Sequence, residues 1–418
     1  MDFAFSEEQE MLRESARDFL ATRHPLERVA ELADGEPGWD PSSWGRLASL
    51  GWLGLSVAED HGGAGASLVD EAVLFEETGR ALYPGPFLAT VGLALPALEA
   101  AAKTVPDALA AVLAGERSAT LAWAEPGGPR TIAESGSAAC TAAQDGDGWH
   151  LTGTKRLVPD VAIAGVAVVV ARAGAAGGQH RGAADAGDRG QPREPAGATD
   201  RDQPQERAAA DADRDQNGGA GLWLVDLTDG RAVVVPRSTV DTTRRLGDLV
   251  LDATPAALLV TPGEAAPVLA ATRLRALAAV ACEAVGVAER ARRFATEHAG
   301  QREQFGRPIG SYQAVSHRIA DAYVATELAR SLAYWAAWCV ASDDEQAPVA
   351  CAAAKSAAGE AAVLAAETAI QCMGGIGFTW DHPLHRLYKR AQWIDAFEGH
   401  GAVHRGELAA ALLDGPPA

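Results

Sequence analysis

Cysteine is scarce and never paired in this sequence. Five residues, at 140, 282, 339, 351 and 372, are scattered with no C-x-x-C spacing. That excludes a disulfide framework and a structural zinc site, and it fits a reducing, cytoplasmic setting. Positive charge is also short. Lys and Arg total 36 against 56 Asp and Glu, for a formal net charge of -20. Such a surface repels nucleic acid and anionic membranes, so neither is an expected partner. The apolar run Val161–Ala171 is too short to cross a bilayer and is predicted as a buried strand; no membrane insertion is expected. The opening residues Met1–Ser6 lack the basic region of a secretory leader. The barest stretch is 173–220, without one Leu, Ile, Val, Met, Phe, Tyr or Trp. It cannot bury enough apolar area to offset chain ordering, and is predicted as a disordered loop inserted between two strands.

What remains is ample for a globular protein. The 418 residues are 48% hydrophobic and 22% charged, enough for two or three domains with a well-buried core. Residues 1–117 are predicted as an N-terminal helical domain. Ser6-Glu7-Glu8-Gln9 has the form of a capping box, and Leu12, Ala16, Phe19 and Leu20 follow at helical spacing. Gly51–Gly65 is a glycine-punctuated loop, and Leu68–Leu82 returns to helical periodicity. Over 118–262 the pattern shifts to short runs rich in β-branched and aromatic residues: Thr120–Ala124, Trp149–Thr152, Val161–Ala171, Gly221–Leu227, Ala232–Pro236 and Ala256–Val260. These are predicted as strands of an antiparallel β-barrel or sandwich. Over 263–418 apolar residues recur every three or four positions, as in Leu274, Leu277, Ala281, Ala284 and Ala288, and the small ones among them permit close helix packing. With Ser311–Ser342, Pro348–Met373 and a tail over 392–413, they predict a C-terminal four-helix bundle. The fold class is thus α+β multidomain.

Two late segments carry chemistry. Gly374-Gly375 closes an Ala-rich helical pattern; paired glycines let a backbone approach a bulky ligand, or simply cap a helix. Phe397-Glu398-Gly399 sets a lone carboxylate beside an aromatic ring. An apolar setting raises such a carboxyl towards neutrality and makes it a candidate general base. The competing reading is an ion pair with Arg390, His400 or Arg405. Glu283 reads as structural, or as a pair for Arg275 or Arg290. In His382-Pro383-Leu384-His385 the proline breaks the turn, so no metal site is expected.

In order along the chain stand Trp123-Ala124-Glu125-Pro126-Gly127, Leu151-Thr152-Gly153-Thr154-Lys155, Arg302-Glu303-Gln304-Phe305-Gly306 with Gln313, Gln371-Cys372-Met373-Gly374-Gly375, and Phe397-Glu398-Gly399. This ordered set resembles the acyl-CoA dehydrogenase family over nearly the whole chain. The run His382–Ala391 looks like a bacterial branch linked to sterol side-chain breakdown, whose members often form mixed tetramers. The resemblance implies FAD at a subunit interface. Arg302, Gln304, Phe305 and Gln313 would hold its adenosine diphosphate half, and Gln371, Cys372, Met373, Gly374 and Gly375 would contact it from a neighbouring chain. An arginine suits that task because it neutralises pyrophosphate bidentately. Arg302 as a solvated surface charge and Phe305 as a core residue are the plain alternatives.

The implied reaction is α,β-dehydrogenation of an acyl-CoA thioester, Glu398 taking the α proton while hydride passes to flavin N5. A flavin hydroxyl and the main-chain amide of Glu398 would serve the thioester oxygen, one such donor being worth about 3–4 kcal/mol. The resemblance further implies a homo- or heterotetramer with an acyl-CoA dehydrogenase-like chain, and an electron-transfer flavoprotein as acceptor. Some relatives carry the base ten residues before the glycine matching Gly286, but Ala276 stands there. The sequence departs from the family pattern on the ring side: Gly127-Gly128-Pro129-Arg130 follows Pro126, Arg156-Leu157-Val158 follows Lys155, Met373 precedes Gly374, and His400 occupies the cofactor position after Glu-Gly. Two rivals therefore stay open: a non-catalytic partner subunit, and an oxidase or hydroxylase on the same fold.

Overall fold

The computed structural model describes residues 5–146, 148–174 and 219–413. Most of the predicted 173–220 insertion lies outside the described residues. Among the described residues six α-helices come first: α1 (Glu7–Arg23), α2 (Leu26–Asp34), α3 (Pro41–Ser49), α4 (Leu68–Ala81), α5 (Leu95–Ala100) and α6 (Pro106–Leu113). The α1 capping box forms as its sequence dictates, Ser6 Oγ accepting from Gln9 N and Gln9 Oε1 accepting from Ser6 N. Ser67 and Asp70 repeat the device at α4.

The strands are β1 (Ala119–Ala122), β2 (Thr141–Asp145), β3 (Gly148–Pro159), β4 (Val166–Ala173), β5 (Ala220–Asp226), β6 (Val233–Arg237) and β7 (Leu246–Val260). Their pairing closes on itself, because β5 bonds both β4 and β7. The sheet is mixed rather than wholly antiparallel. β4 runs parallel to β1 and β2, and the long crossovers before it permit that direction. The predicted strand Val161–Ala171 starts late, since Asp160–Ala164 forms a turn. β2 escaped prediction because Thr-Ala-Ala-Gln-Asp carries little strand propensity. The apolar run of β4 has a simple cause. Val166, Val168 and Val170 enter the helical core while Ala167, Val169 and Ala171 line the barrel interior, so both faces are buried.

Three long helices follow: α7 (Ala265–Gln301), α8 (Gln313–Ala341) and α9 (Ala347–Met373). By length and composition α9 is apolar enough to span a bilayer, but its apolarity is mostly alanine packed in the bundle. The predicted tail is not one helix. It is α10 (Leu384–Ala396) and α11 (Gly401–Leu413), broken at Phe397–His400. Helices α4 and α7 cross at glycines. A Cβ at Gly286 would sit 1.9 Å from Glu76 O, and one at Gly79 would sit 2.1 Å from Glu283 O. No side chain fits either position.

Between barrel and bundle lies a buried charge cluster. Arg390 of α10 donates to Asp241 at 2.6 Å and to Glu283 of α7, and Arg244 also pairs with Glu283. Glu283 therefore bonds neither Arg275 nor Arg290; Arg275 pairs with Glu71 at 2.7 Å. Arg244 lies over the Trp393 ring at 4.6 Å, which ties the cluster to the cleft beside it.

Candidate active site

The break between α10 and α11 aims the candidate base. Glu398 has φ 56° and Gly399 φ 105°, so the chain reverses within two residues. A non-glycine residue in the left-handed region costs about 1–2 kcal/mol and persists only where its surroundings enforce it. Lys355 of α9 does the enforcing. Its fully buried Nζ donates to Asp395 O and Gly399 O, each at 3.0 Å, tying both sides of the turn together. Burial lowers this ammonium to about 8 against the opposing pull of Asp395 and Glu398.

The Glu398 side chain is enclosed, and it is 0% exposed. The N–H of Ile132, at the start of a short 3-10 turn (Ile132–Ser137), donates to its Oε1 at 2.9 Å and Oε2 at 3.1 Å. Arg273 Nε of α7 lies 3.5 Å from Oε2. Neither Arg390, His400 nor Arg405 pairs with it; His400 is exposed and bonds Asp395 at 2.8 Å, and Arg405 pairs with Glu360. Burial pushes the carboxyl from its usual 4.5 to about 7, partly opposed by Ile132 N–H and Arg273. Among the described residues the Glu398 main-chain N–H has no protein acceptor.

That shift has a stability sign. Between pH 4.5 and about 7 the folded chain binds a proton at Glu398 that the unfolded chain has released. The contribution of this group to stability is full below pH 4.5 and is lost as pH rises through about 7. Chemical denaturation at pH 5 and pH 8 is expected to show a smaller pH-dependent loss in Glu398→Gln than in the parent; equal losses would place the shifted proton elsewhere.

Glu398 borders a cleft of about 490 Å³ where barrel meets bundle, walled by Trp123, Arg156, Leu157, Trp393 and Phe397 and floored by Glu125 and Gly127. Trp123 meets Phe397 edge-on at 6.1 Å between ring centroids. Two quoted motifs converge beneath it. Lys155 is fully buried and pairs with Glu125, whose carboxylate also accepts from Ala139 N at 2.6 Å and Cys140 N at 3.0 Å. Nothing lies within 4 Å of a Cβ built on Gly127, so the floor is open to a flat ligand.

The remaining candidates gather elsewhere. Glu303-Gln304 and Arg307-Pro308 pair as a tiny hairpin, β8 and β9, whose turn is Phe305-Gly306. Both turn residues have positive φ, 54° and 78°, as a two-residue reverse turn requires. Phe305 is 94% exposed, which rules out the core reading. Arg302 and Gln313 flank the hairpin and are exposed. Because α8 and α9 are antiparallel, the start of α8 lies near the end of α9, and Cys372 feels the charge of Arg318. Gln371, Met373, Gly374 and Gly375 complete that end; Gly374, at φ 62°, caps α9, and the space around both glycines is open. The capping and ligand-approach readings are thus compatible. This end does not meet Glu398 within one chain. Arg273 and Arg302 lie near opposite ends of α7, about 40 Å apart at about 1.5 Å per residue.

Ile132, Arg273 and Lys355 were not foreseen from the sequence. Ile132 acts through its backbone, which carries no side-chain signal. Lys355 did carry one: it occupies the buried stripe of Cys351, Ala354, Ala358 and Ala362, where a lysine needs a buried task.

Comparison with known proteins identifies the family. The family models for the acyl-CoA dehydrogenase N-terminal and C-terminal domains match residues 6–104 and 271–413. The chain is 32% identical to acyl-CoA dehydrogenase IpdE2 of Mycobacterium tuberculosis over 92% of this chain and 91% of that protein. Among solved structures it is similar to the Tcur3481-Tcur3483 steroid ACAD, with TM-score 0.77, 29% identity and 98% of each chain covered. It is also similar to the ChsE4-ChsE5 complex of Mycobacterium tuberculosis, with TM-score 0.79, 25% identity and 100% of each chain covered.

Proposed function

Because the chain belongs to the acyl-CoA dehydrogenase family and is an FAD-dependent acyl-CoA dehydrogenase, we propose that Glu398 is its base and that a second chain completes each flavin site. The observation that carries the reading is an enclosed carboxyl, raised to about 7, beside an unclaimed main-chain N–H on the cleft wall. Glu398 accepts the α proton of the thioester. Its own N–H donates to the thioester oxygen, where negative charge develops as that proton leaves. Bound FAD supplies the acceptor for the β hydride. Trp123, Trp393 and Phe397 exclude water from the carboxylate, which keeps it basic. To reach the α carbon the carboxylate exchanges its bond to Ile132 N–H for the substrate.

The residues fit the cofactor. Arg302 makes no ion pair among the described residues and is free to neutralise pyrophosphate. Gly374 and Gly375 have room beside them. The separation of this end from Glu398 supports a site built from two chains, as does the apolar surface exposed by Tyr323, Val324 and Leu328 of α8 and by Ile376, Phe378 and Trp380. The second chain is an acyl-CoA dehydrogenase-like subunit in a homo- or heterotetramer, and an electron-transfer flavoprotein is the electron acceptor. The steroid relative supports a bulky acyl group as substrate.

Arg302→Ala is expected to weaken FAD retention by about one to two orders of magnitude, since one phosphate-contacting guanidinium is worth about 1.5–3 kcal/mol. Flavin absorbance after gel filtration at low salt measures it; full retention would remove Arg302 from the cofactor site. Purified alone, the chain is expected to be yellow and to bleach anaerobically with an acyl-CoA. The altered ring side, where Arg156 and a half-exposed Leu157 line the cleft, favours one second reading, a supporting subunit. Its signature is a colourless chain that gains flavin only when expressed with another.

A further inference from the structure

Arg273 stands between two carboxylates. It projects from α7 with its side chain 17% exposed, and its Nη2 donates to Glu407 Oε1 of α11 at 2.6 Å. Its Nε is buried, has no hydrogen-bond partner among the described residues, and lies 3.5 Å from Glu398 Oε2. The contact to Glu407 is tight and the one to Glu398 is loose. One guanidinium is thus divided unequally between an outer carboxylate, 40% exposed, and an inner one, 0% exposed.

We propose that Arg273 is a positioning residue that sets the basicity of Glu398, with Glu407 acting as a counterweight that governs how much of the guanidinium charge reaches the base. The inference rests on Glu398 being the base. Charges and dipoles reach the surroundings of Glu398 from each neighbouring element: Arg273 from α7, the Ile132 N–H and the like-charged Glu134 from the 3-10 turn, Lys355 from α9, Asp395 from α10, and Glu125, Arg130 and Arg156 along the cleft it borders. From α11 come Glu407 and the buried His404, whose Nδ1 lies 3.3 Å from Glu407 Oε2. Of these, Arg273 alone makes an ion pair with the Glu398 carboxylate among the described residues. A full hydrogen bond from Nε would hold the carboxylate charged but weakly basic and turned from the substrate. Glu407, by drawing the guanidinium outwards, keeps that bond from closing.

The two partners therefore predict opposite shifts. In Arg273→Gln the lower limb of the pH profile of kcat/KM is expected to rise by about one pH unit. At a pH below the limb that is about a tenfold loss, and the loss vanishes above pH 9. In Glu407→Gln the limb is expected to fall, because Arg273 closes on Glu398. Arg273→Lys keeps a charge and is expected to lie between parent and Arg273→Gln, which separates charge from packing. A second readout needs no turnover: the Glu398 carboxyl is titrated by 13C NMR in the glutamate-labelled holoenzyme with its flavin oxidised, its resonance assigned by loss in Glu398→Gln. Limbs that stay put in both variants, or move the same way, overturn the proposal. An inactive parent whose 13C titration still shifts oppositely in the two variants would sink the base assignment while sustaining this electrostatic coupling.

Discussion

Replacing Glu398 by glutamine is expected to leave a folded, yellow protein whose dehydrogenation has fallen by about two to four orders of magnitude. Glutamine preserves the shape and still offers an oxygen to the Ile132 N–H, so the turn between α10 and α11 survives. What it lacks is proton affinity. The nearest alternatives are occupied: Glu125 is locked by Lys155 and two amides, Glu283 by two arginines, and the alternative base position on α7 is Ala276. The check is the anaerobic bleaching rate of bound flavin with acyl-CoA in parent and variant. Undiminished bleaching would take Glu398 out of the reaction.

The second large effect is on stability. Lys155→Met is expected to cost about 3–5 kcal/mol, because it strands a buried carboxylate. Glu125 keeps its two amide donors, from Ala139 and Cys140, but these dipoles do not replace a full charge. The Lys155 ammonium also donates to Trp123 O at 3.3 Å, so its loss loosens a wall of the cleft. The double variant Lys155→Met/Glu125→Gln is expected to regain more than half of the loss. The glutamine oxygen still accepts from one of the two backbone N–H groups, which bond separate oxygens of Glu125, and no naked charge remains. Denaturant unfolding of the three proteins decides the matter. A single variant within 1 kcal/mol of the parent would mean that the pair is not structural.

The sequence disclosed segments better than their meetings. The helices of the N-terminal part and the long helices α7 to α9 were legible because alanine-rich periodicity and capping boxes act locally. The barrel was legible in outline, but β2 and the first half of β7 were not, since strand formation there follows from cross-strand partners rather than composition. Motifs carrying Glu125 and Lys155 stood out separately; that they form one buried pair emerges only when β3 passes under the loop after β1. Glu398 was visible, whereas its partner was misjudged. Arg390, His400 and Arg405 are near in sequence, but the α10–α11 reversal turns them elsewhere and brings in Arg273 from more than a hundred positions away. Phe305 looked equally able to be interior; only the hairpin geometry puts it at a tip.

One strand belongs to two interiors. With valines of β4 feeding the helical core and its alternate residues feeding the barrel, neither region can melt and leave the other's wall standing. A lesion deep among the N-terminal helices is therefore felt on the cleft's barrel side, and damage inside the barrel loosens the helices in return. Packing defects in either interior will tend to abolish fold and turnover together, whichever of the two they strike.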